Sequence, residues 1–434
     1  MELRIPSERI EVSEEVDLLV AGGGSAGTVA AVSAARLGLR TALVEEMPFL
    51  GGMSTGGCVG TFCGFYTKQR SGELAPLVGG LPLEIARTLL ERNHAIGPIP
   101  YESTAVLPYV PWGVKLLFEE LVRAEPKLHL RLHAKLTHAL VEGDEIQGVV
   151  VQVGARRIAL RARVYVDASG DAELSRLAGA ETLAGEEPQY PSMMFTMQNA
   201  DVGQAIASLP ALPEMLAQRF EVDGLPRKSG NLIPTGRPGE VIVALSRLEL
   251  DGRPVDGAEE EELTWAELEG RVQAARLAEF LRERVPGFSE AFLADSAPRL
   301  GIRETRKIAG EYVLREDDVL GERKFEDGIG RCAWPIERHV RGGETRWRFL
   351  EPGAWYTLPY RCLVPKPLKN LLVAGRCLSA ESAAFASARV IGPCMLAGQA
   401  VAAAAQLMRE RDTAAADVDV DELRAQLAAL GVPL

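Results

Sequence analysis

The sequence predicts an α/β protein. A central parallel sheet is assembled from both ends of the chain, and a second, α+β domain is inserted between them. Three observations carry this reading. Residues 16–21 form a short apolar run that stops at Gly22, as a buried parallel strand does. An alanine- and valine-rich stretch, 25–37, then predicts a helix ending near Gly38, and 40–45 a second strand, so one β–loop–α–β unit fills about 30 residues. The same pattern returns at the far end, where the apolar strand 371–374 stops at Gly375 and a long alanine-rich helix begins near Cys394.

The elements between follow in order. Residues 47–80 read as a glycine-rich loop. Residues 113–125 read as a helix with Leu116, Leu117, Leu121 and Val122 on one stripe and Pro126 at its end. Residues 128–153 alternate as strands around a turn at 142–144, and 163–167 is a buried strand. After residue 184 proline-containing loops and polar strands take over until residue 359. Within them the acidic run 259–262 precedes a helix, 263–284, expected to carry Leu268, Val272, Ala275 and Leu281 on one face; carboxylates at its start suit the helix dipole. The expected division is 1–184 with 360–434 for the first domain and 185–359 for an inserted substrate or cap domain. No internal repeat is present.

Composition excludes several classes. Of 434 residues, 48 are Lys or Arg and 60 Asp or Glu, and 48 − 60 gives a net charge of −12. Binding to a nucleic-acid backbone needs a basic face, which disfavours it here. Five histidines make a His-rich metal site a poor prospect, and His129, His133 and His138 do not keep the spacing of one strand face. None of the six cysteines forms a C-x-x-C pair, so neither a zinc ribbon nor a redox dithiol is expected, and free packed thiols are. The uncharged stretches 18–35, 47–67 and 390–408 are all broken by glycine and read as buried segments, not membrane spans. Residues 1–17 mix charges and lack an apolar core, so no secretory signal is expected and a cytoplasmic location is.

The 43 glycines concentrate where the chemistry is expected. Gly22, Gly24 and Gly27 fit G-x-G-x-x-G, with Ser25 and Ala26 opening the helix. The first glycine makes the turn off the strand, the second lets a pyrophosphate touch backbone, and the third lets the helix approach the strand. The helix N-terminus then offers free N–H groups and partial positive charge to phosphate. Glu45, with Glu46 beside it, ends the second strand 18 residues past Gly27, where a carboxylate accepts hydrogen bonds from an adenosine ribose. This context predicts a Rossmann-like, dinucleotide-binding domain. After Glu45 the chain enters Gly51-Gly52-Met53-Ser54-Thr55-Gly56-Gly57 with no helix.

At this point the sequence resembles the large flavoproteins with a glutathione-reductase-like FAD domain. Three further segments sharpen the resemblance: residues 301–308; residues 360–365 together with 370–376; and Arg389 through Pro393, Cys394 and Met395 to Gln399. Together they are similar to the FAD-dependent oxidoreductase family, itself distantly similar to fumarate reductase and succinate dehydrogenase flavoproteins. The resemblance implies FAD contacts at the phosphate loop, at Glu45, at Gly51, Gly52, Met53 and Ser54, by backbone near Leu136, and at Ala168, Ser169 and Gly170. It also implies that Gly375 and Arg376 close over the riboflavin portion, and that the helix holding Pro393 and Met395 points its N-terminus at the flavin ring. Relatives that hold FAD covalently have a histidine where this chain has Met53 and Ser54, so non-covalent FAD is expected.

A flavin carries the hydride chemistry and the protein supplies orientation and charge. The candidate substrate groups are therefore Arg303, Arg361 and Arg389, with Tyr356 and Tyr360 behind them, since an arginine fork binds a carboxylate at two points. In the fumarate-reductase relatives an arginine ahead of the last helix binds substrate carboxylate, and Arg389 holds a similar place. The competing reading gives Arg303 and Arg306 internal ion pairs with Glu304 and neighbouring acids. Cys394, near a helix N-terminus, is either a reactive thiolate or a small packing residue, with packing favoured. His339, in the inserted domain, is either within reach of substrate or in a surface loop, with the loop favoured. No second G-x-G-x-x-G occurs, so the electron acceptor is external. The expected protein is an FAD-dependent oxidoreductase that moves a hydride between a small polar, carboxylate-bearing substrate and flavin N5. The alternatives are an FAD-containing tRNA-modification protein and a non-catalytic flavin-binding subunit. The reading leaves room for a homo-oligomer.

Overall fold

A computed structural model describes residues 9–185 and 188–434. Five strands run parallel in the order Leu128–Arg131, Thr41–Val44, Val12–Ala21, Arg156–Asp167 and Leu371–Val373. The N-terminal half of strand Arg156–Asp167 instead pairs with an antiparallel hairpin, Glu145–Val153 and Lys135–Glu142. Successive side chains along the first strand serve opposite faces, as a strand requires. Leu18 and Val20 join the core beneath helix Ser25–Arg36, while Leu19 and Ala21 face Ile146, Val149 and Val151 of the hairpin. Both ends of the chain therefore do supply one sheet. Helix Ile391–Arg411 lies along helix Ser25–Arg36. The approach is close enough that a Cβ on Gly398 would overlap the carbonyl oxygen of Ala26.

Several expectations are corrected. Residues 47–80 are not all loop: Thr61–Lys68 and Leu74–Pro76 are strands of a four-stranded sheet completed by Thr104–Pro108 and Ile99–Tyr101. Phe62 and Phe65 of that sheet are fully buried, and their burial outweighs the local glycine content. The helix expected at 113–125 is Pro111–Arg123, with Pro111 in the first turn where no N–H is needed. The long alanine-rich helix starts at Ile391, three residues before the expected Cys394, and a further helix, Val420–Ala429, follows it. In helix Glu260–Arg284 the buried face is Ala266, Gly270, Ala274, Leu277, Ala278 and Leu281, while Leu268 and Val272 are exposed. The small residues let this helix sit close to its sheet: a Cβ on Gly270 would stand 2.8 Å from Met193.

A second core occupies residues 193–302. It is built on the antiparallel sheet Asn231–Pro234, Val241–Ala244, Phe195–Gln198 and Phe292–Ser296, backed by helix Glu260–Arg284. Residues from Ile308 to Tyr360 return to the main core instead. Among the described residues one helix, Ile391–Arg411, has the length and apolarity of a membrane span, and 89% of its apolar window is buried inside the protein. Its apolarity serves packing.

Candidate active site

The phosphate loop is held from three sides. Gly22 donates to Val44 O (2.8 Å) and takes φ +102°, a conformation that suits glycine; a Cβ there would stand 2.5 Å from Ala168 O. A Cβ on Gly27 would overlap the carbonyl oxygen of Gly22. Gly24 differs, because a Cβ there would meet only Gly52 Cα, at 3.8 Å. Its side of the loop is open. The helix that follows has neither a side-chain cap nor an acidic residue in its first turn. Its first N–H groups are left for an anion.

Glu45 is buried, 7% exposed, and its carboxylate accepts N–H bonds from Gly23 (2.6 Å) and Met47 (2.8 Å). Burial raises its pKa and these two donors oppose the rise. Each oxygen keeps a lone pair for a ribose hydroxyl. Ala134 donates to Glu45 O (2.9 Å), which brings Leu136, two residues on, to the same strand end. Glu46 turns away and pairs with Arg299 at 3.4 Å. The 51–54 segment lies against the loop: Gly51 N donates to Gly23 O (2.8 Å), and the Ser25 and Ser54 hydroxyls are 2.6 Å apart. Gly52 and Met53 form one turn of 3₁₀ helix with Ser54, whose carbonyl accepts from the buried Tyr109 hydroxyl (3.0 Å).

On the other side, Ala168 donates to Ala21 O (2.8 Å) and Ser169 Oγ to Asp167 (2.6 Å). Gly170 faces the guanidinium of Arg376, which pairs with Asp171 (2.8 Å) and donates to Thr305 Oγ1 (3.1 Å). Gly375 packs on Ala26. Pro393 lies against Gly64, and Met395 is wholly buried.

At the start of helix Ile391–Arg411 the structure brings Arg303 and Arg389 together. Arg303 donates from Nη1 to Tyr190 O (2.6 Å) and Ser192 Oγ (2.8 Å). Arg389 donates from Nη2 to Gln189 Oε1 (3.0 Å), while its Nε and the Nε2 of Gln189 are buried without a partner. Among the described residues neither arginine makes an ion pair. Burial and the charge of Arg389 hold the Arg303 pKa well below its ordinary value. The competing ion-pair reading is met only by Arg306, which pairs with Glu173; Glu304 is taken by Lys307.

Sequence reasoning missed three members of this cluster, Arg227, Arg247 and Glu337, and favoured a surface loop for the fourth, His339. Arg227 and Arg247 are 5% and 4% exposed. Glu337 receives Trp334 Nε1 at 3.1 Å and His339 Nε2 at 3.2 Å. Burial pushes Glu337 up, but the His339 hydrogen bond and the charges of Arg389 and Arg303 outweigh it and hold the carboxyl at about 2. His339 is no surface residue: it ends strand Ile336–His339, 7% exposed, with a pKa driven well below 6.5 by burial and by Arg303. The imidazole is thus neutral, with Nε2–H toward Glu337 and Nδ1 accepting from the Thr345 hydroxyl at 3.3 Å.

The other candidates have partners of their own, and of these Cys394 adjoins Arg389. Arg361 is half exposed and paired with Asp327 at 2.9 Å. Tyr356 is hydrogen-bonded to Ser387, and Tyr360 to Ala415 O. Cys394 is 8% exposed and donates to Arg389 O at 3.0 Å; burial pushes its thiol up to about 12. Its burial and raised pKa favour the packing reading. The described residues hold no cluster of metal-ligating side chains.

A glycine-lined phosphate loop after a parallel strand, with a buried carboxylate ending the next strand, defines a dinucleotide-binding α/β protein. The chain matches the FAD dependent oxidoreductase family over residues 17–427 and belongs to it. It is 28% identical over 192 residues to a tRNA uridine 5-carboxymethylaminomethyl modification enzyme from Caldicellulosiruptor saccharolyticus; the match spans 43% of this chain and 29% of that enzyme. Among solved structures it is similar to a geranylgeranyl bacteriochlorophyll reductase-like protein from Thermoplasma acidophilum (14% identity, TM-score 0.48, 96% of this chain and 83% of that one). It is also similar to a flavin-dependent brominase (13%, 0.49, 96% and 83%). The cofactor is FAD, as in the family, and the residues fit it: the open side of Gly24, the uncapped helix start and the spare lone pairs of Glu45 suit a dinucleotide.

Proposed function

We propose that the protein oxidises or reduces a small carboxylate-bearing molecule, with Arg303 and Arg389 binding the carboxylate. The observation that carries this is the pair of buried guanidiniums without a carboxylate partner, one of them with an unused Nε. Buried charge is normally paired, so an incoming anion supplies what the folded chain withholds. FAD, when bound, exchanges a hydride with the substrate and passes the electrons to an external acceptor. The chain's own residues bind and orient. Ser192 and the Tyr190 carbonyl fix the Arg303 fork, Gln189 fixes that of Arg389, and Glu337 holds His339 in one tautomer.

The test is an anaerobic screen of carboxylic acids and their methyl esters that follows bleaching of the flavin. A free acid should bleach it and its ester should not. In Arg389→Gln, with FAD still bound, KM for that acid should rise at least tenfold. Bleaching by neutral molecules alone would overturn the reading. The tRNA-modification alternative draws on the 28% match, but the net charge of −12 and the burial of the arginine cluster weigh against it. A non-catalytic subunit would show no bleaching by any compound.

A further inference from the structure

We infer that Arg227 and Arg247 form a second oxyanion position, so that the substrate carries two anionic groups. This deepens the carboxylate reading and rests on it. The field at Arg303 comes from Arg389, Arg227 and Arg247 together, opposed by Glu337, so all four guanidiniums belong to one buried cluster. Among the described residues two buried carboxylates act on them, Glu337 and Glu304, and Glu304 is already paired with Lys307. Glu249 reaches Arg247 only at 3.7 Å and from a more exposed position.

One anion between Arg303 and Arg389 leaves Arg227 without a carboxylate partner among the described residues and Arg247 with only the long contact to Glu249. Arg227 binds only neutral acceptors, Ala244 O (3.3 Å) and Thr345 Oγ1 (3.2 Å), and its Nε is buried without a partner. Arg247 donates to Val340 O and stacks its guanidinium 3.5 Å from the Tyr190 ring centre; its Nε makes no hydrogen bond and has only the 3.7 Å ion-pair contact with Glu249. Tyr190 links the two positions, since its carbonyl accepts from Arg303 while its ring carries Arg247. Two fixed forks with spare donors on either side of one tyrosine suit two oxyanions on one small molecule. Carboxylate and phosphate share that chemistry.

The FAD-loaded protein is titrated with butyrate, with the linear dicarboxylates from malonate to adipate, and with phosphoglycolate, following flavin absorbance. At least one dianion should bind tenfold or more tighter than butyrate. Arg227→Gln and Arg247→Gln should erase that gain while butyrate binding holds, and Arg247→Lys should restore part of it. Retained FAD and unchanged near-ultraviolet circular dichroism establish that the variants fold. If phosphoglycolate binds best the second group is a phosphate, and if a dicarboxylate does it is a carboxylate. Dianions no tighter than butyrate, or variants that weaken butyrate equally, would overturn the second position and leave the first reading standing. If no anion perturbs the flavin, the carboxylate reading fails and takes this one with it.

Discussion

Gly27 packs so closely on the carbonyl oxygen of Gly22 that a Cβ atom there would overlap it, whereas a Cβ on Gly24 would meet only Gly52 Cα, at 3.8 Å. Gly24 also has an ordinary φ of −66°. The two glycines therefore do different work, one for the fold and one for the ligand. Gly27→Ala should cost about 3 kcal/mol or more, by overpacking against backbone that cannot yield. Gly24→Ala should fold with a Tm close to that of the parent when both are stripped of FAD, yet bind FAD at least tenfold more weakly. Thermal melts of the apoproteins and FAD titrations separate the two. Equal loss of Tm in both variants would contradict the assignment.

The Cys394 thiol, buried and held at about 12, should be inert. At pH 8 its thiolate fraction falls roughly a thousandfold below that of free cysteine, and alkylation should slow in proportion. Mass spectrometry after iodoacetamide treatment of the native protein reads this directly. Cys394→Ala should keep flavin reduction within about threefold, since its removal deletes only one weak S–H bond. Fast labelling, or loss of reduction with FAD bound, would restore the reactive-thiolate reading.

How far the sequence led differs between the two halves of the site. The cradle was legible because it is local: Gly22, Gly24, Gly27 and Glu45 lie within one β–loop–α–β unit, and each spacing has a steric reason. The four-stranded sheet through Phe62 and Phe65 was hidden because Gly64 interrupts its strand at a register shift, and Gly60 and Gly72 flank that strand, so the segment mimics a loop. The arginine cluster was half legible. Arg303 and Arg389 belong to segments with a family resemblance, but Arg227, Arg247 and the strand pair Glu337 and His339 come from separate segments with no shared motif. Their convergence depends on how residues 193–302 fold over the sheet domain. Arg361 looked equivalent in sequence; only the position of Asp327 shows that it is an ordinary partly exposed ion pair. Arg361→Ala should change stability by no more than about 1 kcal/mol and leave substrate KM alone.

His339 predicts a pH dependence. Its neighbours are Glu337, Arg303, Arg227 and Thr345, and burial with the arginine charge depresses its pKa below 6.5 in the folded state. As pH falls the unfolded chain takes up the proton first. The contribution to stability is therefore complete above pH 6.5 and is lost below it, at up to about 1.4 kcal/mol per pH unit. Glu337, held near 2 against an ordinary 4.5, adds a contribution present above 4.5 that disappears only as pH falls toward 2. Between pH 6.5 and 5 the slope should thus belong to His339, and His339→Gln should flatten the dependence of Tm on pH in that window. An unchanged slope would assign it to another group.

Lys307 and Glu304 form a wholly buried ion pair, with side chains 1% and 0% exposed. The Glu304 Oε1 also accepts from Ser382 Oγ at 2.9 Å, its Oε2 has no partner, and the ammonium lies 4.8 Å from the Phe385 ring centre. The pair fixes a segment whose neighbours matter at both ends: Arg303 precedes it, and Thr305 within it holds Arg376 beside the cofactor cradle. Removing one partner strands the other charge in the interior. Lys307→Met should therefore cost about 3–5 kcal/mol, and the double variant Glu304→Gln with Lys307→Met should recover most of it, because no bare carboxylate remains. Melting the FAD-loaded proteins at pH 7.5 gives the order: parent, then double, then single. If the double variant is as unstable as the single, packing around Phe385 and not charge pairing is what the lysine provides.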